Sequence, residues 1–169
     1  MRTLLLTLAT VVLVALAPHA VRSQDMQAKA ETGFSVENGP ELSVCTPDGV
    51  AVGGYDVISY RQSDGPVRGD ADITAEHNGS VYRFTSEENR ATFLEDPDRY
   101  VPAYNGFCAI TLAFGRVTCP EYMNFKIEND QLLLFEITGF TNGRTLWNSD
   151  ADTFRSRADT NFDRLLSLQ

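Results

Sequence analysis

The stretch ITAEHNGSVYRFTSEEN, residues 73–89, holds two β-prone runs, a turn between them and a helix start. An Asn-Gly pair between β-prone runs is the strongest short-range hairpin signal, so residues 73–76 and 80–85 are predicted to pair across His77, Asn78 and Gly79. Side chains alternate across a strand, which puts Val81 and Arg83 on one face and Tyr82 and Phe84 on the other, core-facing side. Ser86 is a natural N-cap, and Glu87 and Glu88 fall in the first turn, where the helix dipole favours negative charge. Ala91, Phe93 and Leu94 give the helix an apolar side. It must end before Asp96-Pro97, because a residue preceding proline avoids helical angles, and Pro97 can open a second short turn through Tyr100.

Outward from this unit the same alternation continues. Residues 57–60 form a β-prone run after Gly53-Gly54. Beyond Asn105-Gly106, Phe107, Ile110 and Phe114 recur at helical spacing, Cys108 and Leu112 share a second apolar face, and Gly115 is the expected stop. That helix is apolar around most of its circumference and is predicted to be buried. Residues 125–128 and 132–136 bracket Asn129, Asp130 and Gln131 as a second hairpin. From Trp147 onward the tail reads as helix, with Trp147, Ala151, Phe154, Ala158, Phe162, Leu165 and Leu166 at its spacings. The predicted fold is α+β, one domain with a small antiparallel sheet, short helices and a C-terminal helical segment. Residues 51–136 form its core, residues 137–169 pack on it, and residues 24–50 are an extended lead-in.

The chain opens MRTLLLTLATVVLVALAPHAVRSQ, with Arg2, an apolar run over residues 4–17 and small residues after it. This is the pattern of a secretory signal peptide, with cleavage expected after Ser23. Nothing later is apolar enough to span a bilayer, so no stable membrane insertion is expected after cleavage. The net charge of −9 falls to −11 once Arg2 and Arg22 leave with the leader. Such acidity excludes nucleic acid as a natural partner, since neutralising phosphate takes a basic patch.

Export also decides what the thiols can be. Cys45, Cys108 and Cys119 make an odd count in an oxidising compartment, which predicts one disulfide and one leftover. Three pairings are possible; Cys45 and Cys119 are the preferred partners, because each could pin a loose segment. Cys108 is then free, as a buried core residue, a metal or redox contact near a helix start, or a nucleophile. Nucleophilic catalysis would need a base, and His77 is the one imidazole left after cleavage. At a hairpin tip, His77 reads either as a solvated turn residue or as a ligand.

A set of ordered signals resembles the YHS domain family in its longer, exported form. They are Gly54-Tyr55-Asp56-Val57 with Tyr60, then Gly65-Pro66-Val67 with Gly69, and Asn78-Gly79 with Tyr82, Phe84 and Ser86. Phe93, Asp96-Pro97 and Tyr100 follow, then Pro102, Tyr104, Gly106, Cys108 and Ala109. The tail adds Trp147 and Ala158-Asp159 with Asn161-Phe162, where Phe162 stands in place of the usual Trp. The resemblance covers roughly residues 51–165. Short members of the family carry Phe-Cys-Ser-x-x-Cys and are taken to handle soft metals; here residues 84–89 read FTSEEN, without either thiol. A tight copper or zinc site takes about two to four soft ligands. Cys108 and His77, with Met26 or Met123, are the candidates.

What the resemblance implies is an exported, non-enzymatic protein with weak transition-metal binding or sensing, copper first. The alternative is a structural module that binds an unknown protein or small ligand, through Tyr55, Tyr60, Tyr82, Tyr100 and Tyr104; Tyr82 and Tyr100 are expected in the core. Arg68-Gly69-Asp70 spells an adhesion tripeptide but occupies a family position. Asn78-Gly79-Ser80 is a glycosylation sequon, with meaning only in a eukaryotic source. HExxH, GxSxG, SxxK and phosphate-binding glycine fingerprints are all missing from the sequence.

Overall fold

The computed structural model describes residues 35–36, 45–46, 49–62 and 64–167, all within one unit, Phe34–Gln169. The predicted leader with its cleavage point after Ser23, most of the 24–50 lead-in, and Met26 lie outside the described residues. Strand β1 is Ser35–Val36. The opening stretch folds as expected: β2, Asp70–His77, pairs antiparallel with β3, Ser80–Phe84, through a turn in which Asn78 and Gly79 both have positive φ. Ser80, Tyr82 and Phe84 are buried and the residues between them are not. Ser86 caps α1, Glu87–Glu95, its Oγ accepting from the Asn89 N–H at 3.1 Å, and α2, Pro97–Tyr100, follows at once.

Residues 57–60 correct the expectation of a strand: they form a turn, and Ser59–Arg61 is a tight 3-10 turn. The cause is Asp56. Its Oδ1 accepts from the Ile58 N–H at 2.9 Å and its carbonyl from the Ser59 N–H at 3.0 Å, a local competitor to ladder pairing. Gly69 lets the following segment press against β3, since a Cβ there would lie 2.4 Å from the Arg83 carbonyl carbon.

Residues 103–106 make a tight turn with Tyr104, Asn105 and Gly106 all at positive φ. This places Cys108 at the N-cap of α3, Ala109–Ala113, shorter than the spacing of Phe107, Ile110 and Phe114 suggested. Every residue of α3 is buried, whereas Phe114 lies beyond its end and is exposed. Strand β4, Arg116–Val117, pairs parallel with β1. The second hairpin is β5, Glu121–Glu128, and β6, Gln131–Phe135, turning at Asn129 and Asp130 with positive φ at both. A short hairpin follows, β7, Ile137–Thr138, and β8, Thr141–Asn142. The tail is two helices instead of one: α4, Gly143–Trp147, and α5, Ala151–Ser167.

Strand β6 is the wall between two cores. Leu132 and Leu134 join Val57, Tyr60, Tyr82, Phe84 and Phe93 on one side. Leu133 and Phe135 join Cys108, Leu112, Trp147, Ala158 and Leu165 on the other. A strand covered on both faces reads as a continuous apolar run, and LLLF, residues 132–135, is one. Phe93 is the one side chain of helix α1 that is buried; Ala91 and Leu94 face solvent.

Candidate functional site

Cys108 is fully buried in the second core. Its N–H donates to the Thr118 carbonyl at 3.0 Å, which fixes the start of α3 against the chain leading to Cys119. Its Sγ accepts from the Glu136 N–H at 3.2 Å. Thr111 and Thr118 hydroxyls meet at 2.8 Å, and Thr118 Oγ1 donates to the Glu136 carboxylate at 2.9 Å, so a chain of side-chain hydrogen bonds leads to the residue whose N–H meets the thiol. Cys45 and Cys119 form the disulfide, Cα atoms 5.4 Å apart, and Cys108 is the free cysteine.

His77 packs on the rim of the other core, against Phe93. Its ring stands edge-on to Phe93 at 6.0 Å, and its Nε2 lies 3.0 Å from Asp98 Oδ1 and 3.0 Å from Asn78 Nδ2. The ring is about one-fifth exposed, so it is docked on α2 and not free at a solvated tip. Asn78 itself is exposed. Cys108 and His77 therefore do not meet: Cys108 is sealed in one core, and His77 sits on the rim of the other, against Phe93. Among the described residues no group of three or more His, Cys, Asp or Glu side chains could hold a metal ion.

The tyrosines do not form one surface either. Tyr60, Tyr82 and Tyr104 are buried, as expected for Tyr82, but Tyr100 is only half-buried. Arg68 lies over the Tyr55 ring at 4.7 Å, and Arg61 and Arg99 lie over Tyr100 at 5.1 and 5.7 Å. Tyr60 donates its hydroxyl proton to the Tyr122 carbonyl at 2.9 Å, and Tyr104 to Asp159 Oδ1 at 2.8 Å. Burial pushes the Tyr82 hydroxyl up to about 12. Burial and the Asp159 carboxylate raise Tyr104 as well.

A groove of about 450 Å³ is lined by Glu121, Met123, Asn124, Ile137, Asn142 and Arg144. Its floor is hydrogen-bonded: Asn124, buried, donates through Nδ2 to the Glu136 carbonyl and to Asn142 Oδ1, each at 3.2 Å. Asn142 Oδ1 also accepts from the Arg144 and Thr145 N–H groups and so starts α4. Met123 and Ile137 are exposed, and Phe140, at the tip of the β7–β8 hairpin, is fully exposed. Sequence reading missed this groove; its one signal is an aromatic set within the polar turn run TGFTNG, residues 138–143.

Fold and site thus define a small disulfide-bonded α+β protein with one free thiol sealed inside and an open groove between β5, the β7–β8 hairpin and α4. No family model matches the chain, and neither a curated protein nor a solved structure matches it.

Proposed function

We propose that this chain is an exported domain of the YHS type that catalyses no reaction and serves as a binding module of the extracytoplasmic space. The observation that carries the reading is the groove, where Met123 and Ile137 stay exposed over a hydrogen-bonded floor with Phe140 beside them. Large apolar side chains grouped around a rigid concave surface mark interaction sites. The Cys45–Cys119 bond supports an oxidising compartment, and among the described residues no helix is long and apolar enough to cross a membrane. The secretory leader supports delivery there. Copper or zinc binding draws its support from the family resemblance, and its two ligands, Cys108 and His77, point into different parts of the fold.

Two measurements test this. A photo-cross-linking amino acid at position 140 should yield an adduct in the exporting cell that the same residue at exposed Val67 does not, and Met123→Glu should suppress it. Absence of an adduct would remove the module reading. Native mass spectrometry with Cu(I), Cu(II) and Zn(II) should show no stoichiometric metal that depends on Cys108; one bound metal lost in Cys108→Ser would restore the metal-handling reading in its place.

A further inference from the structure

The groove carries one charge of each sign, Glu121 from β5 and Arg144 from α4, on a chain whose net charge is −9. Two copies repel at long range, so self-association must use a patch that is locally neutral and self-complementary. This patch is both. A two-fold rotation that brings Glu121 of one copy to Arg144 of the other necessarily makes the reciprocal pair as well. Arg144 is exposed and uses Nη1 on the Phe125 carbonyl at 3.1 Å, which holds its guanidinium at the groove. Phe140 is 110% exposed at the tip of the same hairpin whose Ile137 and Asn142 line the groove. A rigid ring presented outward beside a concave apolar surface is the arrangement of an interface anchor and its pocket. A strongly basic partner would meet Arg144 there, and an acidic one would meet Glu121.

We propose that the groove seats Phe140 of a second copy of this chain, giving a two-fold dimer crossed by reciprocal Glu121–Arg144 pairs. This deepens the binding-module reading and rests on it. The surface is small, so the dimer is weak and forms at high concentration. Mutual repulsion of the acidic copies is screened by salt, while the apolar anchor is not.

Sedimentation velocity of the purified exported chain, from micromolar to millimolar concentration, tests it. The wild type should dimerise reversibly. Phe140→Ser should weaken the dimer at least about tenfold. Glu121→Arg and Arg144→Glu should each weaken it by a similar factor, because each sets like charges opposite one another. An equimolar mixture of these two single variants should recover the dimer, since both cross-pairs are then of opposite charge, and so should the double exchange within one chain. Misfolding cannot produce that recovery. A chain that stays monomeric throughout, a dimer indifferent to Phe140→Ser, or a mixture that fails to recover would each overturn the proposal. A monomer whose position 140 cross-links to a different protein would remove the second copy and leave the module reading standing; no adduct at all would remove both.

Discussion

Asn89 Nδ2 donates to Asp56 Oδ2 at 2.7 Å, joining the first turn of α1 to a residue 33 positions earlier. The same oxygen accepts from the Thr85 N–H and the Thr85 hydroxyl, each at 2.8 Å, while Oδ1 holds the Ile58 N–H. Asp56 is fully buried, so one carboxylate ties the 56–61 turn, the end of β3 and the start of α1 into a single unit.

Asp56→Ala is therefore expected to cost about 3 kcal/mol or more, because it leaves several donors without an acceptor in a site closed to water. Urea denaturation should show the lower midpoint. A loss under about 1 kcal/mol would mean that water replaces the carboxylate.

Cys108 should resist alkylation in the native protein and react only as the chain unfolds, since its Sγ is enclosed and already accepts from Glu136. Iodoacetamide labelling followed by peptide mapping reads this directly. Rapid labelling under native conditions would show that the second core opens around α3.

The Cys45–Cys119 bond closes a separation of 74 residues. Loop-closure entropy gives it an upper value of about 4 kcal/mol. Replacing both cysteines with Ala should lower the thermal midpoint accordingly. An unchanged midpoint would mean that β1 and the loop before β5 are held by packing alone.

Glu128 sits where burial works against its charge, yet hydrogen bonds from Lys126 and Arg155, with Trp147 beside them, outweigh that and hold its carboxyl below the ordinary range. Arg155 reaches Oε1 through Nη2 at 2.7 Å and through Nε at 3.1 Å. A depressed pKa contributes stability at neutral pH that is lost as pH falls from the unfolded value of 4.5 through the lower folded value. Glu128→Gln should lower stability at pH 7 and flatten that acid limb. Parallel acid limbs in the two proteins would sink the assignment.

At the alkaline end the sign reverses. Tyr82 keeps its proton to about 12, and Tyr104 is likewise raised, so the folded state holds protons that the unfolded chain releases near 10. Stability is full below 10 and falls as pH rises through the folded values. Ultraviolet titration of phenolate should show a late-titrating class, and early, uniform titration of all six tyrosines would contradict it.

The hairpins and the capped helix were legible in the sequence because their causes are local. Asn78-Gly79 and Asn129-Asp130 supply the left-handed turn positions, and Ser86 supplies its own cap. The misreadings share a cause of the opposite kind. Residues 57–60 have strand propensity, but the Asp56 carboxylate offers their backbone a closer partner. Phe114 and Leu94 fit a helical period, yet α3 ends at Ala113 and α1 meets the core through one ring, so the period runs on without a face to bury.

The chain by itself determined the two main hairpins, the capped helix after the first of them, the α+β class, the disposition of Tyr82 and Phe84, and the odd thiol count, since each follows from neighbours within a few residues or from composition. Only the tertiary structure decided which cysteine is free, that Cys108 and His77 stand apart, and that Glu121, Met123, Ile137 and Arg144 meet at one groove. Those relations depend on how β6 divides the interior and where β5, the β7–β8 hairpin and α4 come together. Contacts between residues far apart in sequence leave no periodic or turn signal in a single chain.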